Sequence, residues 1–502
     1  MTIDAGSGLM LKKAYHIMRA ILMLLVRFLM AIVFLGSTAR ILDSFSLDES
    51  GMATLIAQSF PAMIRSYTVD YPMLSLYECL EWLILHVSGD PGAPSAVLLR
   101  APSVVFAALA LWMLGRTGRR AGLDVFSAAI PPLYLCCLPE FQDYLSQARP
   151  YALLIFLQSS ALFWCVDQIR SPSRKGWRKF VIFSAMACLT KIFSVLVFLT
   201  MIFAMAPTIS RYRLWRSRVP GIIAVVAIIV IQLPLIIHFS AQSALHSRPV
   251  PDDPWVMSGH VYRLFVDSSL WIVLGVCVAA SWLINRFGQS PHRSDNITIP
   301  GALSWMVPAL VLFPSLVHAS ALGLTGASVM NTRYLTGSLI GVALASGIAA
   351  LFVKTTSLRR ALVVGIAILG IASAVDPAKK EGWERAAQLV KNIRHQQSSA
   401  VLYAAGFNEN HHVAQLGKPL VRGPAFVYGI GDLIVPVSHD TTPEMKDYLE
   451  NWIRTSGIEK DQRPVILVGL APFTKLPEYL AERLARSANF VEMNNVLVYY
   501  LY

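Results

Sequence analysis

The chain has 502 residues, of which 55% are hydrophobic and only 15% charged, and its mean hydropathy is +0.54. That balance excludes an ordinary soluble protein, whose surface would become one apolar patch. The net charge of +13 would point to nucleic acid only if the basic residues gathered on a polar domain, and they lie instead between apolar segments.

Apolar stretches recur, each long enough to cross a hydrocarbon core of ~30 Å as a helix. Spans are predicted near 17–37, 98–116, 123–138, 150–168, 178–190, 193–208, 219–238, 268–285, 301–318, 334–353 and 359–375, about eleven in all. The first apolar run is long enough to stay as an anchor, and no cleavable signal peptide is evident. Arg27 falls inside that run and is read as a snorkelling side chain. The expected fold class is therefore an all-α polytopic membrane protein with a small C-terminal α/β domain.

Lys and Arg sort the loops. One set holds nineteen, from Lys12 and Lys13 through Arg116, Arg119 and Arg120 and the runs in 170–179 and 211–218 to Lys354, Arg359 and Arg360. The other set holds eight: Arg40, Arg65, Arg100, Arg149, Lys191, Arg248, Arg263 and Arg333. The positive-inside rule makes the first set cytoplasmic, with the N-terminus inside and the C-terminus outside. The basic excess is then a topology signal, and a nucleic-acid partner is not expected. The six cysteines all lie in apolar segments without metal-ligand spacing. Asn296-Ile-Thr298 matches a glycosylation sequon but falls in a loop assigned to the cytoplasm.

The first outside loop, 38–97, carries "SFSLDESGMATL". Ser46-Leu-Asp-Glu49 fits a capping box, with Glu49 reaching back to the backbone of Ser46. In a helix running to Pro61, Asp48 would head a stripe with Met52, Leu55 and Ser59. Two readings of Asp48 stand side by side: a carboxylate favoured at a helix start, or a desolvated general base. In "YPMLSLYECLEWLILHVSG", apolar residues recur at helical spacing and Glu78 and Glu81 share the opposite face, which predicts a helix lying on the outer membrane surface. Further along, polar residues collect at outward span ends, among them Glu140, Asp143, Arg149, Lys191 and Arg333. Lys191, in "CLTKIFS", is either a surface turn or a point charge for a phosphate. Arg149 in "SQARPYALL" and Arg333 in "NTRYLTG" offer forks suited to phosphate or carboxylate.

From 376 to 502 the pattern changes. "EGWERAAQLVKNIRHQ" reads as a helix, "SAVLYAA" and "RPVILVGLA" as buried strands, "PEMKDYLENWIRTSG" as a helix ended by Gly457, and "NNVLVYYLY" as a closing strand. This is a predicted outside α/β domain, 376–502, following a transmembrane domain, 1–375.

The order of these features resembles the GT-C glycosyltransferases that use polyprenyl-phosphate sugars, and within them the bacterial lipid A aminoarabinose transferases and protein O-mannosyltransferases. The resemblance rests on Arg40, then Asp48-Glu49, Tyr71-Pro72, "LLRAPS" ending at Ser103, "QARPYALL", Thr190-Lys191, Arg333-Tyr334 and "EGWERAA". It implies a bacterial cytoplasmic-membrane enzyme that transfers a sugar, with inversion, from a polyprenyl-phosphate donor to a lipid, glycan or protein acceptor on the outer face. It also implies catalytic roles at Asp48 and Glu49, with Asp48 as base, and donor phosphate held by Lys191 and Arg149, with Arg40 and Arg333 as further candidates. The sequence departs from the family pattern at "YPML" and at Tyr151, where many relatives carry an acid, so no metal and no cofactor are expected. A lipid or oligosaccharide transporter is the competing class; the absence of an internal repeat and the position of the charges at the outer rim count against it.

Overall fold

The computed structural model describes residues 24, 28, 30–36, 38, 47–66, 75–88, 91, 94–246, 306–311, 336–353, 356–375, 382–396, 399–404, 427–428, 434–437, 442–458, 463–470, 475–493 and 496–502. Its helices, in chain order, are α1 (Leu47–Ile56), α2 (Phe60–Arg65), α3 (Leu76–Ser88), α4 (Ala96–Arg120), α5 (Ile130–Cys137), α6 (Pro139–Leu145), α7 (Tyr151–Arg170), α8 (Arg174–Thr190), α9 (Ser194–Arg211), α10 (Trp215–His246), α11 (Thr336–Ala349), α12 (Thr356–Val375), α13 (Trp383–Gln396), α14 (Pro443–Ser456) and α15 (Leu476–Leu484). Two contact units divide the chain. One is Met1–Arg40, Pro102–Leu233 and Pro251–Pro377; the other is Ile41–Ala101, Pro234–Val250 and Ala378–Tyr502.

In the first unit, apolar helices pack around a core that includes Tyr134, Phe141, Tyr151, Phe180 and Phe198. Among the described residues, four helices are long and apolar enough to cross a membrane: α4, α7, α9 and the first part of α10. They are not equivalent. In its most apolar stretch α7 has 78% of its residues buried, against 11% for α10. Helix α7 is therefore enclosed by protein, whereas α10 turns Ile223, Val226, Val230 and Ile231 outward, as a lipid-facing helix does. The chain is a multi-pass membrane protein, but of the eleven expected spans only these are described as full-length apolar helices. The expected span at 268–285 and Arg27 lie outside the described residues.

The expected span 123–138 is replaced by something else. Residues 124–129 form a turn, and α5 has eight residues, about 12 Å of helix, too short to cross a bilayer. Asp124 explains the turn. Its Oδ1 accepts the N–H of Phe126 at 2.9 Å and of Ser127 at 3.2 Å, and its Oδ2 accepts the Ser127 hydroxyl at 2.6 Å and pairs with Arg359 at 2.7 Å. An Asx-type turn competes with helix here, and Pro131 and Pro132 suit only a first helical turn. At Leu138 the backbone turns extended, and α6 begins anew.

Helix α1 also departs from expectation. It ends at Ile56 instead of continuing to Pro61. Proline has no N–H to give and clashes with the carbonyl four residues back, so the helix stops and α2 starts at Phe60 with Pro61 in its first turn. Met52 and Leu55 are buried as their spacing predicts.

The second unit contains a mixed five-stranded sheet of β1 (Ala400–Ala404), β2 (Ile434–Pro436), β3 (Val465–Leu470), β4 (Ala488–Met493) and β5 (Val496–Leu501) in the order β2-β1-β3-β5-β4. β1 runs parallel to β2 and β3, while β5 is antiparallel to β3 and β4. The fully apolar strands β1 and β3 are central because both faces are covered. Trp383, Ala386, Ala387 and Val390 of α13 pack on one face with Val401, Tyr403, Ile466 and Val468. Met445, Leu449 and Ile453 of α14 and Leu476 and Leu480 of α15 pack on the other with Leu402, Val465 and Leu467. Gly457 closes α14 at φ 68°, a left-handed position that glycine occupies without steric cost.

Asp124→Ala removes acceptors for two backbone N–H groups, a hydroxyl and a guanidinium, and is expected to cost about 1–3 kcal/mol. The thermal unfolding midpoint in detergent should fall, and should fall less in Arg359→Gln, which leaves the turn intact. An unchanged midpoint in Asp124→Ala would remove this carboxylate as the reason for the turn.

Candidate functional site

The predicted site residues that are described fall in two clusters, one in each unit. In the second unit, Glu49 of α1 meets Arg100 of α4. Arg100 Nε donates to Glu49 Oε1 at 2.7 Å and Nη2 donates to Oε2 at 2.7 Å, and both side chains have 0% exposure. This corrects one expectation: Arg100 is a buried helix residue and not a loop charge. Ser46, the expected capping partner of Glu49, lies outside the described residues. A bidentate pair between desolvated ions is far stronger than a cap contact at a solvated helix start. Asp48 lies in the first turn of α1 beside Glu49.

A capping box opens α3, in Ser75-Leu-Tyr-Glu78. Ser75 donates its N–H to Glu78 Oε2 at 3.1 Å, its hydroxyl bonds the same oxygen, and Tyr77 N–H donates to Ser75 Oγ at 3.2 Å. The orientation of α3 is the reverse of a solvated acid face. Glu78 and Glu81 are 5% and 0% exposed, while Leu83 and Val87 are 51% and 77% exposed. Polar anchors explain the rotation: Tyr77 donates its hydroxyl to Leu99 O at 3.3 Å, and Trp82 Nε1–H donates to Gln58 O at 2.9 Å. Three acids and one arginine, Glu49, Glu78, Glu81 and Arg100, are thus buried in this unit.

In the first unit, Arg149 and Lys191 converge on one aromatic ring. Arg149 Cζ lies 5.7 Å and Lys191 Nζ 5.9 Å from the centroid of Tyr151, within cation–π range. Arg149 Nη2 is also 3.5 Å from the Tyr151 hydroxyl. Tyr151 is the first residue of α7 and is buried; Tyr144 of α6 packs on it at a centroid distance of 4.7 Å. Lys191 ends α8 in extended backbone, its N–H donating to Ala187 O at 2.9 Å, so its stem projects from the turn before α9. The arginine is held from behind. Ser103 of α4 donates its hydroxyl to Gln147 O at 2.7 Å, so the "RAPS" and "QARP" stretches are joined by one hydrogen bond. Sequence reasoning noted Tyr151 only as a missing acid; the signal it passed over was an aromatic residue at the start of a helix directly after Arg149-Pro150.

Glu140 belongs to the same unit, on α6 with Tyr144. Burial pushes its carboxyl above the usual range, its own backbone N–H lowers it in part, and the nearby Asp143 raises it further. Its Oε2 is buried without a hydrogen-bond partner. Arg40 and Arg333 lie outside the described residues. Among the described residues, no group of three or more His, Cys, Asp or Glu is arranged to hold a metal ion.

The sequence matches no protein-family model, and no curated protein matches it. Its fold does match solved structures. ArnT from Cupriavidus metallidurans, both in the apo state and bound to undecaprenyl phosphate, superposes with a TM-score of 0.54 at 12% identity, over 95% of this chain and 97% of that one. The Archaeoglobus fulgidus oligosaccharyltransferase aligns with a TM-score of 0.44 at 11% identity, over 94% of this chain and 72% of that one. The chain has the GT-C fold that the order of its sequence motifs resembles.

Arg100→Leu leaves the Glu49 carboxylate buried without its fork and is expected to destabilise by about 3–5 kcal/mol, whereas Glu49→Leu/Arg100→Leu should recover most of that loss. Chemical denaturation of purified protein measures both; equal losses in single and double variants would show that the pair is not what stabilises α1 against α4. Glu140→Gln tests the raised carboxyl. At acid pH the carboxyl is neutral and the two proteins should unfold alike. As pH rises through the raised value the wild type must hold a desolvated charge, so the glutamine variant should become the more stable. A stability difference independent of pH would contradict this.

Proposed function

We propose that this protein is a GT-C glycosyltransferase that moves a sugar from a polyprenyl-phosphate donor to an acceptor of the cell envelope. The observation that carries the reading is the convergence of Arg149 and Lys191 on Tyr151 within a fold shared with a protein solved with undecaprenyl phosphate. The charge sorting of the loops supports a bacterial cytoplasmic-membrane location, with this cluster and the C-terminal α/β domain on the outer side. The same sorting would leave the cytoplasmic loops with the basic excess.

The chemistry asks for a base and an anion site. An acceptor hydroxyl attacks the anomeric carbon of the sugar, the bond from that carbon to the phosphate oxygen breaks, and the acceptor proton passes to a carboxylate. We assign that carboxylate to Asp48, in the first turn of α1. Glu49, engaged by Arg100, holds α1 in place and is a positioning residue. The leaving polyprenyl phosphate gains charge as the bond breaks, and Lys191 and Arg149 are the cations that meet it; Arg40 and Arg333 are proposed to complete the cradle. Tyr151 contributes by fixing both cations before the donor arrives, so little reorganisation is required in the transition state. The polyprenyl tail accounts for a site built between membrane helices. Lipid A is one acceptor consistent with the fold match; other lipids, glycans and proteins are the remaining candidates.

The test is glycosyl transfer by purified protein in lipid, with donor binding measured in parallel. Lys191→Ala removes one charged contact and should weaken donor binding by about 1.5–3 kcal/mol. Arg149→Lys should also bind donor less well, because a fork becomes a point charge. Asp48→Asn should bind donor normally and lower turnover ~10²–10⁴-fold. Normal turnover in Asp48→Asn would leave Asp48 as a charge at a helix start, and unaltered donor affinity in both cation variants would move the phosphate elsewhere.

A further inference from the structure

A second basic site lies in the first unit, between α8 and α10. The N-terminal turns of these helices enclose a cavity of about 430 Å³ whose polar lining is Arg174, Arg178, Arg218, Ser217 and the indole of Trp177. None of its lining residues is acidic. Three arginines line it together, so the cavity holds like charges close to one another. Charges gathered this way cost energy unless an anion offsets them.

The site is built on fixed groups. Arg218 is 3% exposed. Its Nη2 donates to Gln168 Oε1 and to Ser173 O, both at 3.1 Å, and its guanidinium lies 5.1 Å from the centroid of the Trp177 ring. Asp167, next to Gln168, is taken by Arg120 at 2.7 Å. Gly221 lets α10 approach α8 closely at the pocket's edge, since a Cβ there would stand 2.7 Å from Val181 Cγ2 and 2.9 Å from Trp177 Nε1. Arg174 and Arg178 are exposed, with side chains available to a ligand. The same two helices carry exposed apolar residues, Ile182 on α8 and Val219 and Ile223 on α10. Basic pocket and lipid-facing aliphatic strip therefore adjoin, which is the pattern of a membrane lipid with an anionic head.

We propose that this cavity binds the phosphate headgroup of an anionic membrane phospholipid, with its acyl chains along Ile182, Val219 and Ile223. Arg174 and Arg178 supply the charge that selects an anionic head, Arg218 the fixed floor, and Trp177 Nε1–H and the Ser217 hydroxyl the hydrogen bonds. This site uses none of the residues assigned to the sugar donor.

The experiment is native mass spectrometry of the purified full chain titrated with phosphatidylglycerol or phosphatidylcholine. Wild-type protein should retain phosphatidylglycerol in preference to phosphatidylcholine. Arg174→Gln/Arg178→Gln changes two exposed residues and should weaken phosphatidylglycerol binding ~30-fold, at roughly fivefold per basic residue. Gly221→Val pushes Val181 and Trp177 out of place in the pocket wall without altering charge and should abolish the preference. Because that variant can fail to fold, the arginine variant is decisive on its own. Millimolar inorganic phosphate should leave phosphatidylglycerol binding unchanged. A wild-type preference retained in the arginine variant, no preference in the wild type, or full competition by inorganic phosphate would each overturn the proposal, the last by identifying a general anion site.

Discussion

Hydrocarbon offers a charge neither water nor hydrogen bonds, and the placement of arginine and lysine in this chain follows from that. Among the described residues, several basic side chains near apolar helices are matched to a carboxylate or to the face of an aromatic ring. Arg100 takes Glu49, Arg359 takes Asp124 and Arg120 takes Asp167. Arg116 lies over Trp112 and Phe163, Lys179 over Trp164, Arg218 over Trp177, and Arg149 and Lys191 share Tyr151. The two kinds of partner differ in consequence. A carboxylate neutralises the cation and uses up its donors, so those pairs hold helices in register. A ring steadies the cation and leaves its charge and most of its donors free.

That distinction separates what the sequence made legible from what it did not. Apolar periodicity and length located α4, α7, α9 and α10, and strand-like runs located β1, β3 and β5, because those signals are local. The helices α13 and α14 and the glycine after α14 were legible for the same reason. The turn at Asp124 was not, since an apolar run of the right length concealed a carboxylate whose partner, Arg359, is far away in the chain. The short strands β2 and β4 were missed as well: β2 has three residues, and β4 alternates weakly along a solvent-facing edge.

Helix α3 carries the sharper lesson. A helical wheel divides α3 into an apolar face and an acid face, and water is the usual destination of the acids. In a protein that borders lipid the apolar face has a second solvent, and the acids can turn inward. Leu83 and Val87 outside with Glu78 and Glu81 inside follow from that inversion. Periodicity identified the helix correctly; only the identity of the surrounding medium decides which face is buried. The capping box shows the same limit, because Ser46-to-Glu49 and Ser75-to-Glu78 are equivalent as patterns. The pattern also says nothing of Arg100, fifty-one residues from Glu49, which engages that carboxylate with both arms.

At the candidate site, a tyrosine stands where relatives in the resembled family often carry an acid, and the exchange has a physical consequence. An acid beside Arg149 and Lys191 would neutralise them or recruit a divalent ion to bridge it to a phosphate. A tyrosine ring holds the same two side chains at 5.7 and 5.9 Å without adding a negative charge of its own. Ser103 adds to this by fixing the backbone that carries Arg149, so the geometry is set by the helix scaffold before any ligand binds. The packing of Tyr144 on Tyr151 adds to the same scaffold, an apolar contact that does not depend on the charge state of its neighbours.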